Sequence, residues 1–593
     1  MKRNVLMGSI LLSSVLYGTC LSGEWNVMDA GASPDGTGDN TAIFQKLLDQ
    51  AGKAGGGIVK VPAGQYCIKG NLSIPAAVTL EGVFQVPPCA RHDRAATFHG
   101  SVLLAYAGRG STEGPPFIRL NGNMATLSGF IVHYPQWKQS DVPPVPYPPC
   151  VLGKGYHNLG VLNCCFINPY EAVRFEKSAR HLVRNVYGYP SWRGLFVDEC
   201  YDIGRVENCH FWPFGVSYNQ DEPFCKWVNV NGVAFEFART DWQYVLNTFC
   251  FGYGVGYKFS AYAAGGCNGN FLGIGADSCR RAVLVKQGQP PGLLITNGEF
   301  VGRWGSKDSV CIEIEPEAST KVSLANCSFW GPIDRCVWLR SEATQFTANG
   351  CNFLHWDING RGEPAIQLDT GKAIIQGNTF GNGDVNVLVN AEVSSAILMG
   401  NQGPEGFKVV NHAGDHTIIL ANEQDPVQWT AQSREAYQID VGVNGDGRYL
   451  RKFHHPDKQS NREVPWNSCR WSNPGSLLLL PVNPNQSYTL KLQLEVPQAA
   501  ISDGAGLYCE DKLLAELKSG QNELTAKVPP TSSDRVTIEM RCQGWQPSKV
   551  MPPSKDTRTL GIHLFAVSMQ TGKSSSLFDA NTGKWLKQIS TDK

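Results

Sequence analysis

A short tail recurs along the middle of the chain: Asn163-x-x-Phe166, Asn208-x-x-Phe211, Asn297-x-x-Phe300 and Asn326-x-x-Phe329, with Gly350-x-x-Phe353 and Gly377-x-x-Phe380 as variants. Most successive copies lie roughly 22 to 29 residues apart, and the wider gaps hold a second period or an insertion, which is the signature of a solenoid. Such a length holds three short strands and three turns, one coil of a right-handed parallel β-helix. Residues in one register then stack on neighbouring rungs, roughly 5 Å apart. In residues 201–211 and 242–250 the same backward count from Asn208 and Asn247 reaches Asp202 and Asp241. Two acids in one register are the first candidates for chemistry.

The chain is 593 residues long, more than one compact core needs, so further domains are expected. We place a signal peptide at 1–23, the β-helix at 24–424, a linker at 425–436 and an antiparallel, jelly-roll-like β-sandwich at 437–593. The fold class is therefore all-β. Strict alternation carries the last assignment: Tyr488, Leu490, Leu492, Leu494 and Val496 share one face, as do Val536, Ile538 and Met540, and Leu560, Ile562 and Leu564. Lys2 and Arg3 followed by an apolar run over residues 5–16 predict a secretory signal, too short to span a bilayer. The expected location is secreted, periplasmic or at the cell surface, with lipidation at Cys20 as a variant of that reading.

Charge is balanced, 52 basic against 52 acidic residues, so no basic field exists to draw nucleic acid or an anionic membrane. Recognition must be local. Cys164, Cys209, Cys327 and Cys351 follow the Asn or Gly of the repeat, which predicts stacked core thiols, with Cys89 and Cys150 in Pro-Pro-Cys loops as exceptions. No cofactor is expected, apart from a structural Ca²⁺ that Asp440, Asn444 and Asp446 would hold if their Gly-rich turn needs one.

Upstream of the repeats, Asn40 is placed to cap a helix whose apolar face is Ile43, Phe44, Leu47, Leu48 and Ala51, with Gly55 to Gly57 ending it. This helix would cover the first coil. The surrounding pattern, Asp-x-Gly-Ala, Asp-Gly, Asp-Asn-Thr-x-Ala-Ile and Gly-Gly-x-Val-x-Val-Pro-x-Gly-x-Tyr within residues 27–66, resembles the opening of the pectate lyase superfamily, the rhamnogalacturonase and epimerase type. The resemblance implies a right-handed β-helix. It leaves glycoside hydrolase, polysaccharide lyase, epimerase and tailspike open. The polygalacturonase signatures Asn-Thr-Asp, Asp-Asp, Gly-His-Gly and Arg-Ile-Lys are missing, so no catalytic residue is carried over. Residues 198–215 and 238–250 look like a polygalacturonase-related branch of β-helix proteins, which implies no particular activity.

Cleaving a glycosidic bond takes two carboxyl groups, roughly 5 to 5.5 Å apart for retention or 6.5 to 9.5 Å for inversion. Asp202 and Asp241 approach the first distance, with mutual repulsion raising one of them; Asp277 opposite Asp241 would give the second. The bland alternative is that corner acids bond turn N–H groups. Candidate substrate-binding residues are Trp192, Arg193, Trp212, Arg205, Glu207 and Tyr244, with Arg239 holding Asp241 ionised. Two insertions, 134–150 and 216–230, are candidate cleft walls, as is 84–100. The leading expectation is an exported glycoside hydrolase acting on a polysaccharide or its oligosaccharides. A lyase acting on a uronate polymer and a non-catalytic glycan-binding surface protein are the alternatives.

Overall fold

The computed structural model describes residues 23–85 and 99–586, apart from 383, 405, 423–426, 428, 444, 455, 459–467 and 573–575. The signal peptide, Cys20, Cys89 and the charged stretch 91–94 lie outside the described residues. The chain divides into two compact units, one of residues up to 304 with 311–323, the other of 305–310 with 324–593.

The first unit winds as parallel coils. Glu171–Glu176, Arg193–Asp198, Val233–Phe237 and Val255–Phe259 stack in register as the first sheet. Arg205–Glu207, Thr240–Leu246 and Cys267–Leu272 form the second. His210–Phe211, Phe249–Phe251, Gly275–Cys279 and Glu299–Gly302 form the third. The Asn of the repeat is the corner between second and third sheets. Asn163, Asn185, Asn208, Asn247 and Asn297 all adopt left-handed backbone, φ +50° to +56°, a region that costs most residues about 1–2 kcal/mol and that Asn and Gly tolerate best. Their amides form a ladder along the corner: Asn185 Nδ2 donates to Asn163 Oδ1 at 2.8 Å, and Asn208 Nδ2 to Asn185 Oδ1 at 2.7 Å.

Because side chains alternate from this corner, Val206, Cys209, Phe211, Val245 and Cys250 all point inward and are buried. Phe235 stacks on Tyr257 with centroids 4.9 Å apart. All described cysteines are free thiols, and Cys150, expected as an exception, is buried like all the others but the half-buried Cys542. Thr41–Lys53 is the expected helix α1, burying Phe44, Leu47, Leu48 and Ala51. Its capping differs from expectation. Asn40 turns its side chain to Ser33 and Gly38, and Asp39 accepts from Thr41 N at 3.0 Å instead.

In the second unit the corner passes from Asn to Gly: Gly350, Gly377 and Gly400 have φ +61° to +67°. A ladder one residue further on, from buried Asn378 and Asn401 to half-buried Asn422, links these coils at 2.9 Å per step. The remainder of that unit is antiparallel apart from Ala436–Asp440 beside Leu577–Asp579, which run parallel. Ser468–Pro481, Tyr488–Glu495, Glu523–Val528, Arg535–Arg541 and His563–Gln570 pair as the alternation predicts, enclosing Leu478, Leu480, Leu490, Leu492, Ile538 and Val567. Asp446, a suggested Ca²⁺ ligand, gives both oxygens to Arg470 at 2.8 Å; Asn444 lies outside the described residues. No helix among the described residues is long and apolar enough to cross a membrane.

The corner yields a test. Asn185→Gly keeps the backbone and loses the ladder, whereas Asn185→Val must also force a β-branched residue to positive φ. Urea unfolding is expected to show the Val variant about 1–2 kcal/mol less stable than the Gly variant.

Candidate active site on the third sheet

The residue before each inward-facing third-sheet position points outward, and these residues stack: His210 pairs with Phe249, Phe249 with Gly275, and Gly275 with Glu299. Two positions further along, Phe251 pairs with Asp277. The result is an aromatic floor. Trp212 lies 4.6 Å from Phe251 and 5.9 Å from Phe249, while His210 meets Phe249 edge-on at 4.9 Å. None of these four rings is fully buried.

Two of the three expected cleft walls meet beside this floor. Trp137 of the proline-rich insertion packs edge-on against Phe224 of the later one at 5.2 Å. Gln139 Nε2 donates to Ser217 O at 2.9 Å, and Ser217 N to Gln139 Oε1 at 3.0 Å. The later insertion is stiffened by helix α2, Pro223–Asn231, whose Glu222 cap accepts from Cys225 N. Tyr218 from the same insertion stands edge-on to Phe251 at 5.0 Å.

Asp277 is the unusual acid of this groove. Burial pushes its carboxyl up to about 6, the Ser278 N–H opposes that, and the nearby Glu299 charge adds to it. Burial likewise lowers His210 to about 4, so its imidazole is neutral at neutral pH. A half-buried acid near 6 beside an exposed carboxylate is the kind of arrangement that separates acid from base. With strands roughly 4.8 Å apart and a rise of roughly 3.3 Å per residue, Asp277 and Glu299 sit diagonally at roughly 8 Å between Cα atoms.

The remaining candidates from the sequence disperse. Asp202 and Asp241 occupy neighbouring coils at the corner between first and second sheets, where Cys200 bridges Thr240 and Arg205 pairs with Tyr244. Each has its own partner. Arg180 donates to Asp202 at 2.8 Å, while Arg239 and Gln289 reach Asp241 at 3.1 and 2.8 Å. The Arg180 hydrogen bond holds Asp202 below the usual carboxylate range, opposite to the rise that repulsion would give an acid catalyst. Asp277 does not face Asp241. The second-sheet strand Thr240–Leu246 separates them, roughly 20 Å of extended chain.

Arg205, Glu207 and Tyr244 lie outward on the second sheet, with the Arg205 guanidinium 5.7 Å from the Tyr244 ring. Trp192 stacks on Tyr170 at 5.3 Å, at the start of the first sheet. Arg193, expected to bind substrate, is only 7% exposed and is clamped between Glu171 at 2.8 Å and Glu236 at 3.2 Å. Glu236 also takes Lys258 at 3.0 Å and Ser260 at 2.7 Å. Burial works to raise Glu236, yet Lys258 and Arg193 prevail and keep it below its ordinary range. This is a closed, charge-balanced network, not a binding surface.

Of the sequence candidates, Trp212 and Asp277 are in the groove. Glu299, His210, Phe249, Phe251 and Tyr218 were missed. The repeat itself held a signal for three of them, because the slot ahead of the inward residue is His210 in Asn208-x-x-Phe211, Glu299 in Asn297-x-x-Phe300 and Phe249 after Asn247. Among the described residues no group of three or more His, Cys, Asp or Glu could hold a metal ion.

Residues 25–126 match the family model described as rhamnogalacturonase A/epimerase, pectate lyase-like. The resemblance of the opening pattern is thus borne out, and the coils show the parallel β-helix it implies. Mannuronan C5-epimerase AlgE2 of Azotobacter vinelandii is 34% identical over 119 residues, 18% of this chain and 12% of that protein. Alginate lyase 7 of the same organism is 49% identical over 48 residues, 8% of this chain and 6% of that protein. The chain therefore spans about an eighth or less of the length of these relatives. A tailspike protein variant of E. coli bacteriophage HK620 in complex with a pentasaccharide aligns with TM-score 0.45 at 10% identity, covering 92% of each chain.

Asp277 makes stability depend on pH. Its folded-state pKa of about 6 lies above the ordinary 3.8, so the stability it contributes is present below the unfolded value and is lost as pH rises through about 6. Asp277→Asn is expected to raise the melting temperature at pH 8 and to leave it nearly unchanged at pH 3.5, read by thermal unfolding at the two pH values.

Proposed function

We propose that this protein is a glycoside hydrolase that binds a polysaccharide or its oligosaccharides along the third sheet and cleaves with inversion. The observation that carries the reading is the pairing of a half-buried acid, Asp277, with exposed Glu299 at the end of an aromatic floor. Aromatic faces suit the C–H faces of sugar rings, so Trp212 and Phe251 would seat the ring next to the scissile bond. Asp277 in its protonated form donates to the glycosidic oxygen as the C–O bond breaks. Glu299 takes a proton from the water that attacks the anomeric carbon from the other side. A Cα diagonal of roughly 8 Å allows the two carboxyl groups the separation of roughly 6.5–9.5 Å that inversion needs to leave room for that water.

The names of two relatives denote action on mannuronan and alginate, which agrees with a polysaccharide as the class of substrate. The test is reducing-end release by the purified chain from a panel of polysaccharides. Asp277→Asn and Glu299→Gln are each expected to lower the rate by about 100-fold or more, while Asp202→Asn and Asp241→Asn stay within about twofold. Activity that needs protonated Asp277 should fall as pH rises through about 6. The opposite pattern, loss in the corner variants with the groove variants intact, overturns the assignment.

A further inference from the structure

Two side-chain ladders tie neighbouring coils together, and the step from Asn326 to Gly350 belongs to neither. The corner amides that join Asn163, Asn185 and Asn208 need an Asn on both coils, and Gly350 brings no amide to meet that of Asn326. The later ladder, in the slot one residue after the corner, starts at Asn378, whose Oδ1 accepts from Cys351 N at 2.8 Å. At the step between, that slot holds Cys327 on one coil and Cys351 on the next. Ser328 pairs with Asn352 directly after them. Asn326 N donates to Asn349 O at 3.0 Å, and Asn352 N donates to Cys327 O at 2.8 Å. The two cysteines therefore stand opposite each other, one strand spacing or roughly 4.8 Å apart between Cα atoms. Both are buried. The Cys327 thiol donates to Cys351 and holds the Cys351 thiol below its ordinary range although burial opposes that, whereas burial pushes Cys164 and Cys209 up to about 12.

A disulfide requires Cα atoms roughly 4.4–6.8 Å apart, which the facing pair meets. Cys164 and Cys209 occupy the same slot but have Val186 on the coil between them, so two spacings, roughly 9.6 Å, keep them apart. We infer that Cys327 and Cys351 form a coil-to-coil disulfide when the chain folds in the presence of a disulfide oxidant, and that this link staples the step the amide ladders leave out. The inference is independent of the hydrolase reading. Cys351, as the thiolate, attacks one sulfur of the oxidant and expels the other half as a thiolate. Cys327 then gives its proton to that thiolate and attacks the Cys351 sulfur, expelling the second half. Two protein thiols lose two electrons and one S–S bond forms, while the S–S bond of the oxidant is reduced to two thiols that carry off the two protons. Because both sulfurs are sealed in the finished coil, the exchange belongs to folding, before the coils close.

The experiment reduces and unfolds the full chain in urea, refolds it with either oxidised glutathione or dithiothreitol, blocks free thiols with iodoacetamide and maps unreduced peptides by mass spectrometry. The expected result is a peptide pair linking Cys327 to Cys351 in the glutathione sample and absent under dithiothreitol, with Cys164 and Cys209 blocked as free thiols. The oxidised chain should show one melting transition about 5 °C higher than the reduced chain. Cys327→Ser, which cannot form the link, should melt alike in both conditions; if that variant does not fold, the peptide map of the unsubstituted chain decides. Cys327 and Cys351 both blocked by iodoacetamide after refolding with glutathione overturns the inference. So does a link between Cys250 and Cys279, whose sulfurs lie 4.0 Å apart, with Cys327 and Cys351 left free. A Cys327–Cys351 link that leaves melting unchanged overturns the staple.

Discussion

One left-handed corner, between second and third sheets, governs this molecule. Each coil has a corner position there at positive φ, and the sequence fills it with Asn163, Asn185, Asn208, Asn247, Asn297 and Asn326, with Gly129, Gly273, Gly350, Gly377 and Gly400, and with Ala421. The asparagine amides hydrogen-bond to those of adjacent coils, so the corner fixes the turn and the register together. In a structure whose side chains alternate, register decides which residues are core and which are surface. Everything outward on the third sheet inherits its alignment from that corner.

The same alignment makes two kinds of charge cluster with opposite properties. On the first sheet, Glu171, Arg193, Glu236 and Lys258 stack so that each carboxylate meets a cation, and the network is sealed. Such a set fixes the position of its strands and offers a ligand nothing. On the third sheet Asp277 sits in register with Phe251, with another carboxylate, Glu299, as a charged neighbour, and burial pushes it toward the neutral form. Chemistry follows the second arrangement, because a group poised near neutrality can give or take a proton.

Much of the fold was readable from residues alone. The Asn-x-x-Phe spacing gave the coil length, the apolar face of residues 43–51 gave α1, and the alternation from Tyr488 to Val496 gave the antiparallel strands. Asp202 and Asp241 were correctly seen as residues of neighbouring coils. What stayed hidden was their company: Arg180 and Gln289 come from coils well before and after them in sequence, and only the winding brings them in. Arg193 looked like a ligand-binding arginine for the same reason. Glu299 and His210 were legible in principle, since they occupy the slot ahead of the inward residue, but which of the three sheets faces the long insertions depends on loop packing such as Trp137 on Phe224.

The account places sugar on one face out of three, and a crystal structure of the Glu299→Gln chain soaked with an oligosaccharide tests that placement directly. The expected result is a sugar ring stacked over Trp212 and Phe251, with a glycosidic oxygen within hydrogen-bonding distance of Asp277. An oligosaccharide bound instead at the Asp202 and Asp241 corner, with the third-sheet groove bare, would contradict it.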